Sequence, residues 1–222
     1  MILDVRNYLR TPWQKGAYQI LGPLLDRSLG LRGLDEIYNG ACARLPGNPV
    51  DATCHAWFDA VLQEMDSASI VDTAADFEFP KSGPLVIIAN HPFGILDPVL
   101  LAQYISKYRP ELKIMTNSML AMFPALRPHI IPVNPFGGEA AARSNLAAMK
   151  EAIKHLKNGG AMAIFPAGEV AGYKPGTGIE EPEWSSHVGA LVRRTQATVL
   201  PVFFPGRNST LFHAAGVVHP RL

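Results

Sequence analysis

Three apolar runs constrain this chain more than any other feature. Pro84-Leu85-Val86-Ile87-Ile88-Ala89 and Ala161-Met162-Ala163-Ile164-Phe165 carry no polar residue at any position. Thr198-Val199-Leu200-Pro201-Val202-Phe203-Phe204 carries one, at its start. A strand with one wet face alternates apolar and polar residues, whereas a strand with no alternation is covered on both faces. Strands of that kind belong to parallel sheets sandwiched between helices. Leu112-Lys113-Ile114-Met115 and Ile130-Ile131-Pro132-Val133 read as shorter strands, and Phe77 to Phe79 as an alternating one.

Helical patterns lie between these runs. One spans Pro98 to Tyr108. Another spans Ser144 to Leu156, with Leu146, Met149, Ile153 and Leu156 on one stripe and Gly159-Gly160 as its stop. A third spans Trp184 to Gln196. Alternating strand and helix define an α/β class, with a mixed, largely parallel sheet flanked by helices. Residues 1–75 read instead as a helical N-terminal segment. Its patterns include Trp13, Tyr18, Leu21, Leu24 and Leu25, then Leu34, Ile37, Tyr38 and Ala41, then Ala56, Phe58, Val61, Leu62 and Met65 behind a cap in Asp51-Ala52-Thr53. The division expected is 1–75 and an α/β domain at 76–222. The first pattern, with Arg6, Arg10, Lys15 and Arg27 beside it, suits either packing on the core or contact with an anionic membrane surface.

Several function classes are disfavoured. A net charge of +1 argues against a dedicated nucleic-acid binder. The two cysteines, Cys42 and Cys54, form no CxxC and are expected as free thiols. The seven histidines are scattered with no HExxH, so no metal site is expected. GxSxG and a glycine-rich nucleotide fingerprint are both missing. Asp4, Arg6, Asn7 and Arg10 interrupt the first residues where a signal peptide would be apolar, and no run reaches the ~18 apolar residues of a membrane span.

In α/β sheets, ligands bind at the carboxyl ends of strands. Asn90 to Asp97, Pro166 to Gly172 and Pro205 to Ser209 all follow apolar runs. In the first, His91 is a candidate general base and Asp97 its orienting partner. A histidine accepts a hydroxyl proton on one ring nitrogen when the other is held by a fixed acceptor. The turn between them runs through Pro92, Phe93 and Gly94. The plain alternative makes Asp97 the N-cap of a helix beginning at Pro98. In the second segment, Pro166-Ala167-Gly168-Glu169 after Phe165 is a tight turn able to aim backbone N–H groups at an oxyanion, with Glu169 near an acceptor hydroxyl or ammonium. In the third, Gly206-Arg207-Asn208 offers Arg207 to a donor phosphate, or is a surface turn. Lys174, Arg193 and Arg194 are further cations, and the two adjacent arginines read as a solvated helix face.

The order of these blocks resembles the lysophospholipid acyltransferase superfamily. Asn90-His91 to Asp97 resembles its His…Asp block, and Ile130-Ile131-Pro132-Val133-Asn134 its second block. Phe165-Pro166-Ala167-Gly168-Glu169 resembles the Phe-Pro-Glu-Gly block, and Leu200-Pro201-Val202-Phe203 the fourth. There are departures. Five residues separate His91 from Asp97 where the family has four, so the turn must bulge. Ala167 stands at the usual glutamate, while Val170 and Asn134 stand where arginines often close their blocks. The combination resembles the bacterial hemolysin-like subgroup, some members of which acylate lyso-ornithine lipid.

The resemblance implies catalysis by His91 and Asp97. Substrate contacts are implied at Asn90, Phe93, Gly94, Asn134, Phe165, Pro166, Ala167, Gly168, Glu169, Gly206, Arg207 and Asn208. It implies no bound cofactor, an acyl carrier protein or coenzyme A thioester as donor, and a lysolipid acceptor. A peripheral position on the cytoplasmic face of the membrane follows from those substrates. Without the arginines that grip an acceptor phosphate, a lyso-aminolipid is the expected acceptor. Lysophosphatidic acid or glycerol-3-phosphate acylation is the alternative within the family. A thioester hydrolase and a non-enzymatic hemolysin-like membrane binder are alternatives outside it. Relatives continue beyond the Gly-Arg-Asn-Ser block, so the expectation is either an α/β domain that lacks its usual C-terminal end or a short member of the family.

Overall fold

The computed structural model describes residues 31–68, 70–134, 139–174, 176 and 178–208. The pattern around Trp13 to Leu25 lies outside these residues. Two helices come first, α1 (Leu31–Arg44) and α2 (Cys54–Glu64). Thr53 caps α2 by accepting the Ala56 N–H at 3.2 Å. Helix ends there: among the described residues, 65–68 and 70–84 are irregular, so the helical expectation for 1–75 runs past the end of α2.

Next come β1 (Leu85–Ala89), α3 (Leu96–Ile105), β2 (Lys113–Asn117), β3 (Ile130–Val133), α4 (Glu139–Lys157) and β4 (Ala161–Ile164). A small antiparallel hairpin follows, β5 (Gly172–Lys174) with β6 (Gly178–Glu180). Helix α5 (His187–Thr195) and strand β7 (Thr198–Val202) complete the described chain.

The main sheet has five strands in the order β3-β2-β4-β1-β7. Every pairing in it is parallel. β1 pairs with β4 from Leu85↔Ala161 to Ile88↔Ile164, and with β7 from Leu85↔Thr198 to Ala89↔Val202. Its side chains divide between two apolar layers. Leu85, Ile87 and Ala89 join Trp57, Phe58, Val61, Val99 and Ala102 of α2 and α3. Val86 joins Met162, Ala148, Ala152 and Leu156 on the α4 side, with Leu191 of α5. This two-sided covering is why the β1 and β4 runs lack alternation, whereas β7 is exposed at Thr198, Val199 and Pro201. Ala41 of α1 belongs to the first layer, so α1, α2 and the sheet share one core.

Phe77 to Phe79 is not a strand. No described strand pairs with it. Phe79 stacks on Tyr108 at 4.7 Å and meets Phe77 edge-on at 6.3 Å, so its alternation reflects aromatic packing beyond α3. β7 stops at Val202, two residues short of the apolar run, and is an edge strand among the described residues. Pro201 is tolerated there because an edge strand has one free side. α4 starts five residues before the expected Ser144, on a Glu-Ala-Ala-Ala turn with a Glu139–Arg143 pair at 3.1 Å.

Arg109 holds the amino-terminal edge of the sheet. Its side chain is 2% exposed and donates to the carbonyls of Pro80 (3.1 Å), Gly83 (2.8 Å) and Gly159 (2.6 Å) and to Glu111 (2.8 Å). One guanidinium thus ties the entries of β1 and β4 together. Arg109→Ala strands buried carbonyls and should cost about 3 kcal/mol or more, read as a lower denaturant midpoint. A loss under about 1 kcal/mol would show that water replaces the clamp.

Candidate active site

Sheet order brings the three polar segments together. β4, β1 and β7 are neighbours, so the loops leaving their carboxyl ends stand side by side. The loop after β1 carries His91 and Asp97. His91 Nδ1 lies 2.8 Å from Asp97 Oδ2. The Asp97 side chain is fully buried and His91 is 17% exposed. The same oxygen accepts the Phe93 N–H at 2.8 Å. Oδ1 is buried and takes no hydrogen bond, so all of this carboxylate's bonding falls on the His91 loop. With Asp97 ionised, Nδ1 carries the ring proton and Nε2 keeps its lone pair.

The five intervening residues fit because the loop folds through Gly94. Its φ is +71°, a left-handed conformation costly for other residues. The Asp97 N–H then returns to the Gly94 carbonyl at 3.3 Å, and α3 begins beside it. Ile95 at the cap position offers no side-chain cap, and Asp97 sits inside the first turn. Asp97 is therefore turned to histidine and not used as an N-cap.

Two neighbours brace the ring and its loop. Phe165, at the end of β4, stacks on His91 with centroids 4.4 Å apart and planes inclined by 31°. Asn90 extends the β1–β7 ladder by one step, donating to the Phe204 carbonyl at 2.8 Å and accepting its N–H at 2.7 Å. The Asn90 amide is thereby spent on backbone.

The turn after β4 is closed by the Gly168 N–H on the Phe165 carbonyl at 3.0 Å. That N–H points into the turn. Pro166 is buried, Ala167 half-buried, and Gly168 and Glu169 are exposed. Val170 leans on the dyad loop, since a Cβ on Gly94 would stand 3.6 Å from its Cγ2. After β7, Gly206 lies under Phe93. A Cβ there would come within 2.9 Å of Phe93 Cζ, and the φ of +113° also favours glycine. Arg207 is exposed beside this contact and Asn208 is half-buried. Asn134 is not brought in. It ends β3, three strand positions from β1, which is about 14 Å at ordinary strand spacing. Its N–H and carbonyl are both held by the Asn145 side chain, at 2.7 and 2.9 Å.

Glu181 was not among the residues singled out from sequence, yet it reaches the loop. It accepts the backbone N–H of His91 on one carboxylate oxygen and the Trp184 indole N–H on the other, the latter at 2.9 Å. Glu180 beside it faces Lys174 instead, at 3.9 Å. Adjacent glutamates read as a solvated pair, and only the path of the hairpin decides which one turns inward.

An apolar cavity lies between α1, α2, α3 and the sheet. Its wall includes Trp57, Val61, Val99, Ile114 and Phe123, and it reaches Ile95 and Pro98, which flank Leu96 and Asp97. A cavity walled by such groups stays dry and accepts hydrocarbon. Other nucleophiles and bases are less suited. Cys54 is a buried free thiol whose Sγ rests on the Leu112 carbonyl at 3.8 Å, and burial pushes its pKa up to about 12. His55 and His155 are bound to backbone carbonyls at 3.0 and 2.9 Å, and burial lowers the pKa of His129. Among the described residues, His91 is the histidine paired with a carboxylate.

The chain thus carries a His–Asp pair at the carboxyl edge of a doubly covered parallel sheet, on an α/β scaffold. The sequence profile of the family described as Acyltransferase matches residues 67–220, and the chain belongs to that family. Two curated relatives are both named lyso-glycine lipid O-acyltransferase. The one from Bacteroides thetaiotaomicron is 28% identical over 158 residues, covering 71% of this chain and 55% of the relative. The one from Phocaeicola vulgatus is 29% identical over 135 residues, covering 60% and 46%. The chain spans about half the length of these relatives. No helix among the described residues is long and apolar enough to cross a membrane.

Gly206→Ala should displace Phe93 and cost about 1–2 kcal/mol through its backbone conformation. Adding Phe93→Ala removes the clash but not the backbone cost, so only part of the stability should return. Full recovery in the double variant, read by thermal unfolding, would show that the strain is all in the side chain.

Proposed function

We propose that this chain transfers a fatty acyl group from an acyl thioester to the hydroxyl of a lysolipid with an amino-acid head group. The observation that carries the proposal is the 2.8 Å contact of His91 Nδ1 with the buried Asp97, which leaves Nε2 available as a base. Nε2 takes the proton of the acceptor hydroxyl. The oxygen attacks the thioester carbonyl, the C–S bond breaks, and the departing sulfur regains the proton from His91. Asp97 stabilises the imidazolium in between. No acyl-enzyme forms in this scheme: neither the acyl group nor the acceptor bonds covalently to the protein.

The cavity beside Asp97 supports an acyl substrate, since its wall is predominantly apolar, with polar groups only on Tyr38, Trp57 and Thr116. The relatives' printed activity supports the acceptor class. So does Val170, an apolar side chain resting on the dyad loop where a phosphate clamp would need a cation. Arg207, exposed on the turn after β7, suits the carboxylate of an N-acylated amino acid, and Glu169 suits an ammonium such as that of ornithine. Acyl carrier protein and coenzyme A thioesters are both donors of the required chemistry. The protein would work at the bilayer surface that holds the acceptor, on the cytoplasmic face where acyl thioesters are found.

The test is product analysis of purified protein with either donor and a panel of lyso-glycine lipid, lyso-ornithine lipid and lysophosphatidic acid. Acylated amino-acid lipid should form. A preference for lysophosphatidic acid would overturn the acceptor class, and free fatty acid regardless of acceptor would identify a hydrolase. His91→Ala and Asp97→Asn should each lower turnover by about 10²–10⁴-fold with the fold retained. Near-normal turnover in His91→Ala would remove the base.

The cavity generates a separate expectation. Val99→Phe fills it from α3 and should shift donor preference toward shorter acyl chains, at about 1–3 kcal/mol in stability. An unchanged chain-length profile in a folded variant would place the acyl chain elsewhere.

A further inference from the structure

His91 has two backbone polar groups beyond the reach of the sheet. β1 ends at Ala89, and Asn90 uses its side chain to continue pairing with β7. The His91 N–H and carbonyl therefore need partners of their own. Both come from one stretch of chain, the excursion between β4 and α5. The Ala171 N–H donates to the His91 carbonyl at 3.1 Å, just before β5. The Glu181 carboxylate accepts the His91 N–H, just after β6. The base thus sits in a bracket whose two arms are the two ends of the hairpin.

The Glu181 arm is itself held. Its second oxygen accepts the Trp184 indole N–H at 2.9 Å, and the Ser185 N–H donates to the Pro166 carbonyl at 3.0 Å. The segment carrying Glu181 is fastened to the turn after β4, whose Phe165 stacks on the same imidazole. A charged acceptor on a backbone N–H is about twice as strong as a neutral one. Asp97 does not make this contact: its Oδ2 takes the ring and the Phe93 N–H, while the His91 N–H goes to Glu181. Asp97 sets the ring's rotation and tautomer. Glu181 fixes the main-chain point from which the ring hangs.

We propose that Glu181 is a positioning residue for His91, acting through the backbone N–H with Trp184 as its anchor. The proposal rests on the reading of His91 as general base. A carboxylate in this place does not touch substrate. Its effect falls on the distance between Nε2 and the reacting hydroxyl, where a shift of about 1 Å costs on the order of 100-fold in rate. The loss should appear in kcat, because neither substrate is gripped by this group.

The experiment compares Glu181→Ala, Glu181→Gln, Trp184→Phe and His91→Ala in the full chain, with unfolding midpoints measured alongside steady-state kinetics. Glu181→Ala should lower kcat about 10- to 100-fold with KM for donor and acceptor within about twofold. Glu181→Gln keeps an oxygen for the His91 N–H and should recover most of that loss. Trp184→Phe should give a smaller loss that does not add to that of Glu181→Ala. A folded Glu181→Ala variant with unchanged kcat, while His91→Ala is inactive, would overturn this inference alone. A Glu181→Gln variant as impaired as Glu181→Ala would also overturn it, because a neutral acceptor should suffice for positioning. An active His91→Ala variant would instead remove the general base on which the proposal stands.

Discussion

The pairing of β1 with a parallel strand on either side is the constraint on which the rest depends. Because β4 and β7 both run alongside β1 in register, three chain reversals leave the same edge within two strand widths. Each loop brings one component. The loop after β1 brings the histidine and its aspartate, the turn after β4 brings Phe165, and the turn after β7 brings Gly206 beneath Phe93. Had β7 paired elsewhere, the Asn90 amide would have no strand to join, and the His91 loop would lose its floor. The apolar layers matter to the site for the same reason: they hold the strand ends in line.

A fully buried carboxylate is expensive unless its hydrogen bonds are good. Asp97 receives two at 2.8 Å, one of them from a backbone N–H that cannot swing away. Removing the histidine would leave that charge with the Phe93 N–H alone. The dyad is therefore also a local contact that ties the His91 loop to the first turn of α3. The left-handed Gly94 is what lets so short a loop close.

Much of this was legible in sequence because the signal was burial itself. Apolar runs without alternation marked β1 and β4 almost to the residue, and Ile130 to Val133 marked β3 exactly where it lies. Phe77 to Phe79 misled because aromatic stacking on Tyr108 produces the same alternation as a half-buried strand. The start of α5 was placed at Trp184, whose apolar ring imitates the first residue of a helical stripe, while its indole N–H in fact serves Glu181. The pairing of His91 with Asp97 could be named from spacing and position. The partners of Asn90, Glu181 and Asn134 could not, because each bonds to backbone or to a residue remote in sequence, and a contact with a carbonyl or an N–H leaves no compositional trace.

The arrangement separates what must stay fixed from what can vary. His91 is fastened at its ring by Asp97 and Phe165 and at its backbone by Ala171 and Glu181. By contrast, Glu169 and Arg207 are exposed at the tips of turns that follow the two strands flanking β1. Exposed turn residues can be exchanged at little cost to stability, whereas a change at a buried, doubly bonded group propagates. Under the proposed function, recognition of the acceptor head group falls to those turn tips and proton transfer to the strand ends. A chain built this way can keep one chemistry while its turns are altered to suit a phosphate, an ammonium or a carboxylate. Val170 marks the boundary between the two regions: it sits on the turn after β4, yet its side chain packs against Gly94, so a bulky cation at that position would have to be accommodated by the dyad loop itself.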